Sequence, residues 1–446
     1  MKKLLLKNGM TWWKKGYKTF FLFVLIMGCE MITYQYRFFQ SDHSTQLKFD
    51  GVENSMEYRM NQDAHEPQKD IDLYARAAAL IDGETGRVLY EKSGYEVMPM
   101  ASTTKIMTCI LALEYGQSHP LENEWATVSS YAASQAKVKA GLKTGEKYRL
   151  SDLLYSMMLE SHNDTAVVVA EHIGKRLMNG KDADSKEESR AYVKKFTDWM
   201  DQKAKELGCE HTNFVTPNGL DAEDEEGMHA TNAVELGKIA AYAMQNEDFC
   251  RIIQTSNHSF SDQKIVHTIH AYNKDAYLTM EDGACGVKTG FTNKAGYCFV
   301  GARRHEGNLF ISVVLGCGWP PEKSKKWSDT RKIMERAVGN YEKRCVTYHP
   351  YEQYMGVING TKNYCKVASD KVQEQELLLA PWEQVTMLQY QTGWLKAPVH
   401  EGDIVGYQIY QIDKELLKKI PIRAQESINV ITIVHCIEKV TKLWLL

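Results

Sequence analysis

Three short polar motifs limit the folds and functions open to this chain of 446 residues more strongly than any other feature. Ser102–Lys105 reads Ser-Thr-Thr-Lys and opens a predicted helix, because apolar residues recur after it at spacings of three and four. Ser161–Asn163 reads Ser-His-Asn and follows a second predicted helix. Lys288–Gly290 reads Lys-Thr-Gly and lies on a strand of a predicted hairpin. Each motif is weak alone, but the ordered set predicts one site built from three distant segments.

The first two motifs carry groups that suit acyl transfer. A serine hydroxyl is a poor nucleophile until a base takes its proton, and Lys105 lies one helical turn from Ser102. A helix N-terminus also favours negative charge near Ser102. The Ser161 hydroxyl can relay a proton, and the Asn163 amide can hydrogen-bond a substrate carbonyl. These four residues, together with Lys288 of the third motif, are therefore the predicted catalytic groups.

The third motif suits substrate binding. Lys288 supplies positive charge, Thr289 supplies a hydroxyl, and Gly290 lets a substrate backbone approach closely because it has no side chain. A cation and a hydroxyl on one strand predict a binding site for a carboxylate.

Longer segments around the motifs resemble one known family. Met100–Thr108 resembles the nucleophile segment of the low-molecular-mass penicillin-binding proteins, the serine D-alanyl-D-alanine carboxypeptidases. Lys288–Thr292 with Ala295–Tyr297 resembles the third motif of that family, and Pro217–Asp221 resembles its Pro-x-Gly-Leu-Asp segment. Together these matches indicate membership far more strongly than any one of them.

The resemblance covers roughly residues 75–341 and, more loosely, the region after them. It implies an α/β (α+β) fold: a β-lactamase/transpeptidase-like domain with a central antiparallel sheet flanked by helices, plus a small C-terminal β-rich domain. It also implies a serine-type D-Ala-D-Ala carboxypeptidase that needs no cofactor. The expected partners are peptidoglycan stem peptides ending in D-Ala-D-Ala, with β-lactam antibiotics as covalent inhibitors.

The same resemblance assigns roles to single residues. Ser102 attacks the carbonyl between two D-alanines, and neutral Lys105 accepts its proton. Ser161 passes a proton to the departing D-alanine, while Asn163 holds the peptide. The backbone N–H groups of Ser102 and Phe291 form the oxyanion hole. Lys288 and Thr289 bind the terminal carboxylate of the substrate, beside Gly290.

Three positions depart from the family pattern. Met100 stands two residues before the serine, where the family usually has proline. His162 stands where a small residue is usual, and we expect it to point outward or to tune the site rather than to act as the base. Phe291 stands where some members have histidine, and its backbone N–H survives that change.

Three alternative functions remain open on the same scaffold. A class A β-lactamase would need an added glutamate for deacylation, and Pro217–Asp221 lacks that arrangement. A non-catalytic penicillin-binding sensor would be favoured by a degraded motif, whereas all three motifs are intact. A DD-endopeptidase would share every motif, so the sequence does not separate it from a carboxypeptidase.

The chain is predicted to have five parts. Residues 1–40 are a signal peptide or membrane anchor, because a block of lysines precedes the short apolar run Phe20–Cys29; lipidation at Cys29 stays open. Residues 41–70 are a polar linker, 71–344 the serine DD-peptidase domain and 345–436 a small β-rich domain. Residues 437–446 are a possible amphipathic tail that contacts a membrane. We therefore expect an exported protein at the outer face of the cytoplasmic membrane or in the cell envelope.

The net charge and the cysteine spacing argue against nucleic-acid binding and against a metal site. The formal net charge of −3 is unlike that of a nucleic-acid-binding protein, which is usually markedly basic. The ten cysteines form no Cys-x-x-Cys pair and no Cys/His cluster at zinc spacing, so no metal site is predicted.

Overall fold

The computed structural model describes residues 57–59, 70–413 and 415–444. The predicted signal or anchor at 1–40 and most of the predicted linker lie outside these residues. The described chain divides into two compact units. The larger contains 70–348 and Gln373–Glu383, and the smaller contains 57–59, His349–Val372 and 384–444 outside residue 414.

The described residues form the following strands and helices. The strands are β1 (Glu57–Arg59), β2 (Ala77–Asp82), β3 (Val88–Lys92), β4 (Trp125–Thr127), β5 (Lys147–Arg149), β6 (Glu223–Asp224), β7 (Gly227–Met228), β8 (Asn257–Ser261), β9 (Thr268–Tyr272), β10 (Ala284–Thr292), β11 (Gly296–His305), β12 (Asn308–Leu315), β13 (Glu342–Val346), β14 (Glu352–Ile358), β15 (Tyr364–Ser369), β16 (Gln375–Leu379), β17 (Val385–Gln391), β18 (Leu395–Lys396), β19 (Ile404–Ile412) and β20 (Glu415–Ala424). The α-helices are α1 (Lys105–Gly116), α2 (Ser130–Ala133), α3 (Leu150–Leu159), α4 (Asn163–Leu177), α5 (Lys186–Glu206), α6 (Ala233–Ala243), α7 (Glu247–Gln254), α8 (Lys325–Asn340) and α9 (Ile433–Trp444). Two 3₁₀ turns span Ala101–Thr104 and Ala276–Thr279.

A five-stranded antiparallel sheet lies at the centre of the larger unit, in the order β10-β11-β12-β2-β3. Both faces of its middle strands are covered. Along β2, Ala77, Ala79 and Ile81 belong to one apolar core, whereas Ala78 and Leu80 belong to a second. Because side chains alternate between faces along a strand, the unbroken apolar run of β2 fits a sheet buried on both sides. The predicted central antiparallel sheet flanked by helices is confirmed.

Helices cover the sheet on both faces. α6 packs on β2 and β12 within the first core, and α8 packs on β11 and β12 within the second. α1, α4 and α5 pack together within the first core. Asn232 caps the N-terminus of α6 and Ser185 that of α5, each accepting a backbone N–H three residues on. This packing fixes the start of α1, where the first motif lies.

The smaller unit is built on a seven-stranded sheet in the order β1-β17-β19-β20-β15-β14-β18. Its pairs are antiparallel except for β14 with β18. Met355, Val367, Ile422 and Ile428 belong to its apolar core. The C-terminal region is thus rich in strands, as predicted. The strand β1 falls within the segment predicted as a linker, where the chain pairs with β17.

Candidate functional site

The first motif lies on a tight turn ahead of α1. Ala101–Thr104 forms a 3₁₀ turn, and Ala101 has a φ of 49°, in the left-handed region. The hydroxyls of Thr103 and Thr104 donate to the carbonyls of Met100 and Ala101, at 2.6 and 2.8 Å. Ser102 is only partly buried, whereas Ala101, Thr103 and Thr104 are buried. Two hydrogen bonds therefore hold the backbone of the turn, and the Ser102 side chain is left partly exposed.

Lys105 connects the nucleophile to two other segments. Its Nζ lies 3.0 Å from the Ser102 Oγ, 2.8 Å from the Asn163 Oδ1 and 2.5 Å from the Asn218 carbonyl oxygen. The side chain is fully buried. Burial lowers the pKa of Lys105 well below its usual value, and the positive charge of Lys288 lowers it further. A neutral amine can accept a proton from Ser102, so burial prepares Lys105 to act as a base.

The second motif forms the entry to α4. The Asn163 Nδ2 donates to the Ala136 carbonyl at 3.2 Å, while its Oδ1 accepts from Lys105. Ser161 has a φ of 65°, and its buried Oγ has no hydrogen-bond partner among the described residues. A buried hydroxyl without a partner is costly unless a ligand uses it. The Ser161 hydroxyl is therefore available for a substrate or a proton transfer.

Asp164 anchors the loop beside that motif. It is fully buried, and its carboxylate accepts the backbone N–H groups of Ala140, Gly141 and Leu142 at 2.9 to 3.2 Å. These bonds hold the loop that supplies the Ala136 carbonyl to Asn163. Sequence reasoning did not single out Asp164, although its position directly after the motif was a usable signal.

The third motif lies on β10, which packs against the 3₁₀ turn. A Cβ on Gly290 would lie 3.0 Å from the backbone nitrogen of Ser102. Glycine at this position lets the strand approach the turn closely, with the backbone nitrogens of Ser102 and Thr103 beside Gly290. The Phe291 side chain is exposed and packs on Tyr297, with ring centroids 4.7 Å apart.

Lys288 is a buried residue of the same strand. Its Nζ donates to the Thr289 carbonyl at 3.1 Å. Burial lowers the pKa of Lys288 to about 7, with Asp275 opposing this shift and Lys326 adding to it. The group is therefore poised to change charge near neutral pH, unlike an exposed lysine.

His162 points away from the reacting groups. Its Nδ1 lies 2.8 Å from the Ser156 Oγ on α3, and its Nε2 lies 3.6 Å from a Glu160 carboxylate oxygen. Burial lowers the pKa of His162, so the neutral ring predominates at neutral pH. The partners of the His162 ring are therefore Ser156 and Glu160, and Ser102 is not among them.

Two further groups at the site were missed by sequence reasoning. The Asn218 carbonyl accepts from both Lys105 and, at 3.3 Å, the Ser102 hydroxyl. Gly219 has a φ of 86°, and a Cβ there would lie 2.0 Å from the Ala101 carbonyl oxygen. Pro217–Asp221 was identified in the sequence as a segment that resembles the family, but no role in the site was predicted for it. Among the described residues, no group of three or more His, Cys, Asp or Glu side chains could hold a metal ion.

Similarity to known proteins identifies the family of this chain. A family model described as D-alanyl-D-alanine carboxypeptidase matches residues 60–318, more than half of the chain. The chain belongs to the D-alanyl-D-alanine carboxypeptidase family. It is 27% identical over 369 residues to the D-alanyl-D-alanine carboxypeptidase DacF of Bacillus subtilis. The matched region covers 80% of this chain and 86% of the relative. It is 31% identical over 258 residues to a D-alanyl-D-alanine carboxypeptidase of Streptomyces sp. (strain K15), covering 56% and 82%.

Solved structures of penicillin-binding enzymes share the fold. The Streptomyces K15 DD-transpeptidase is 28% identical with a TM-score of 0.52, over 61% of this chain and all of that one. DacD of Francisella tularensis has a TM-score of 0.60 over 82% of this chain and 98% of its own. At 24% identity, the second likeness concerns the fold alone. The predictions of family, enzyme class and fold are confirmed for this carboxypeptidase-family chain.

Proposed function

We propose that this chain removes the terminal D-alanine from peptidoglycan stem peptides through an acyl-enzyme on Ser102. The observation that carries the proposal is the buried Lys105 amine, 3.0 Å from the Ser102 hydroxyl. A lysine with a lowered pKa is a competent general base, a role worth roughly a hundred- to ten-thousandfold in rate. Serine with a neighbouring base is the minimum set for nucleophilic acyl transfer.

Acylation follows from this arrangement. The Ser102 oxygen bonds to the carbonyl carbon between the two D-alanines as its proton moves to the Lys105 Nζ. The oxyanion that forms receives hydrogen bonds from the N–H groups of Ser102 and Phe291, a contribution of roughly a hundred- to a thousandfold per donor. The C–N bond then breaks, and the departing D-alanine nitrogen takes the proton from Lys105 through the Ser161 hydroxyl.

Substrate recognition and deacylation use the other motif groups. Asn163 holds the peptide by its amide, and Lys288 and Thr289 bind the terminal carboxylate beside Gly290. After D-alanine leaves, water gives its proton to Lys105 and attacks the ester. The bond between the acyl carbon and the Ser102 oxygen breaks, and the serine oxygen takes the proton from Lys105. The shortened peptide leaves, and the Ser102 hydroxyl and the neutral Lys105 amine are restored. β-Lactam antibiotics acylate the same serine and block this cycle.

The proposal includes a place at the membrane surface. Apolar side chains of α9 are exposed at Ile433, Ile437, Val440 and Trp444, spacings that place them on one helical face. Among the described residues, no helix is long and apolar enough to cross a membrane. We propose that α9 lies in the membrane interface, and that the protein is exported to the outer face of the membrane or to the cell envelope.

The first test uses labelled penicillin and a D-Ala-D-Ala peptide. We expect the wild-type protein to release D-alanine and to carry the label on Ser102, and Ser102→Ala to lose both while keeping its thermal midpoint. Ser161→Ala is the comparison variant: it removes the hydroxyl assigned to proton transfer but leaves the acyl acceptor, so it should turn over more slowly and still carry the label on Ser102. A penicilloyl adduct on Ser102→Ala, or on another serine of the wild-type protein, would contradict the assignment.

The second test separates a carboxypeptidase from an endopeptidase. A charge-assisted hydrogen bond contributes about 1.5–3 kcal/mol, or roughly ten- to a hundredfold. We therefore expect kcat/KM to fall by that factor when the terminal carboxylate is converted to an amide, and part of this discrimination to disappear in Thr289→Val. Equal kcat/KM values for acid and amide in the wild-type protein would favour the endopeptidase.

A further inference from the structure

A buried histidine outside the three motifs is connected to the nucleophile turn. His229 follows β7 and is only 3% exposed. Its Nδ1 accepts the backbone N–H of Val215 at 3.0 Å and lies 3.4 Å from the nitrogen of Thr216. Its Nε2 lies 2.8 Å from the Thr104 Oγ1. No step of the proposed mechanism uses this ring.

The partners of His229 determine its protonation. A ring nitrogen that accepts an N–H carries no proton, so the proton of the neutral ring lies on Nε2. Burial lowers the pKa of His229 to about 3, and the positive charge of Lys105 acts in the same direction. The ring is therefore neutral at neutral pH, and its Nε2–H donates to the Thr104 hydroxyl.

The chain of hydrogen bonds continues to the peptide unit of the nucleophile. Because the Thr104 oxygen accepts from His229, its single O–H is directed to the Ala101 carbonyl, at 2.8 Å. The Ala101 carbonyl and the Ser102 N–H belong to one planar peptide unit and point in opposite directions. A bond that fixes the carbonyl therefore fixes the direction of the N–H.

This peptide unit needs external support. Ala101 has a φ of 49°, a strained conformation for a residue with a side chain, and strain of this kind persists only where surrounding contacts impose it. Gly219 also packs against this unit, so closely that a Cβ would lie 2.0 Å from the Ala101 oxygen and 2.8 Å from the Ser102 nitrogen. The Thr104 hydroxyl and Gly219 thus hold the same unit.

We propose that His229 is a positioning residue that orients the oxyanion-binding N–H of Ser102 through the Thr104 hydroxyl and the Ala101 carbonyl. The proposal rests on the proposed acyl-transfer function. It predicts a defect in the step where the oxyanion forms, with substrate binding nearly unchanged, because neither His229 nor Thr104 is assigned to the substrate.

The test compares three substitutions in the same turn. Thr104→Val removes the hydroxyl that contacts the Ala101 carbonyl, and Thr104→Ser keeps it. Thr103→Val is the matched control: Thr103 is equally buried and its hydroxyl donates to the preceding carbonyl, that of Met100. We expect Thr104→Val to lower kcat and the penicillin acylation rate roughly ten- to a hundredfold, with KM within about threefold. Thr104→Ser and Thr103→Val should stay within about threefold of wild type.

A double-mutant cycle tests the part played by His229. If His229 acts through Thr104, His229→Phe lowers kcat in the wild-type background but has little further effect in the Thr104→Val background. Equal losses in Thr103→Val and Thr104→Val, or a Thr104→Val protein as fast as wild type, would overturn the proposal. So would a full additional loss on adding His229→Phe to Thr104→Val. Failure of the proposed function is distinct, because the wild-type protein would then neither release D-alanine nor be acylated.

Discussion

At the scale of single residues, the surroundings of two lysines in the site shift their pKa values by different causes. Both Lys105 and Lys288 are buried, and burial lowers both pKa values. The Lys288 charge lowers the pKa of Lys105 further, whereas Asp275 raises that of Lys288. Neighbours thus tune two titratable groups for the two proposed tasks: the lowered pKa of Lys105 favours the neutral amine that a base requires, and Lys288 is charged below about pH 7, where it can bind a carboxylate.

These shifts predict the pH dependence of kcat/KM, which reports the free enzyme. Lys288 is charged below its pKa of about 7 and loses its charge as pH rises through that value. We expect kcat/KM for a D-Ala-D-Ala peptide to fall above about pH 7, and to fall at lower pH as Lys105 becomes protonated. Lys288→Arg should lose only the alkaline fall, because arginine stays protonated. The measurement is the shape of the profile; an identical alkaline fall in both proteins would place its origin elsewhere.

At this scale the sequence predicted the reacting side chains and, through the family resemblance, two backbone N–H groups, but not the backbone carbonyls that hold the side chains. Ser102, Lys105 and Asn163 were predicted, and the structure brings them into direct contact. The carbonyls of Asn218 and Ala136 were not found, because every residue carries a carbonyl and only the folded path shows which one faces the site. The partner of a buried lysine is therefore hard to predict when it is a main-chain atom.

At the scale of elements, β10 packs against the 3₁₀ turn, and the gap proposed for the oxyanion lies at this contact. In Gly290→Ala, the new Cβ would lie 3.0 Å from the Ser102 nitrogen and 3.2 Å from the Thr103 nitrogen, so backbone has to move. Because oxyanion donors act only in a narrow range of distance, we expect penicillin acylation to slow roughly ten- to a hundredfold. Gly393→Ala is the control, since its Cβ meets no heavy atom within 4 Å. Equal acylation rates in the two variants would show that the gap tolerates the methyl group.

Elements with a strong apolar pattern were predicted well. The helical period after Ser102 corresponds to α1, and the predicted hairpin strand that carries Lys288 corresponds to β10. The hairpin of β8 and β9 was missed, because polar residues such as Asn257 and His258 obscure its alternation. Its turn is ordered instead by Asp262, which accepts the backbone N–H groups of Val266 and His267 at 2.7 and 2.6 Å. Such side-chain control of a turn leaves little hydrophobic signal in the sequence.

At the scale of the whole molecule, an exposed helix ends the described chain. The predicted tail began at residue 437, whereas α9 begins at Ile433 and adds one turn to the apolar face. Ile437 and Val440 are 60% and 59% exposed on that face. A contiguous exposed apolar surface on a helix, with Lys439 and Lys442 nearby, fits contact with a lipid surface. This placement predicts how the mature protein distributes between membrane and soluble fractions.

The prediction concerns mature chains whose N-terminal segment has been cleaved, as judged by mass spectrometry of the N-terminus. Each buried CH₂ contributes about 0.8 kcal/mol to membrane binding. The double variant Ile437→Asp, Val440→Asp removes two apolar side chains and adds two negative charges, so we expect it to leave sedimented membranes. Glu438→Asp with Thr441→Ser is the control, because it changes two neighbouring residues without changing the charge or removing a large apolar side chain. If the Asp variant stays with the membranes as fully as the wild-type protein and the control, α9 does not hold the enzyme there.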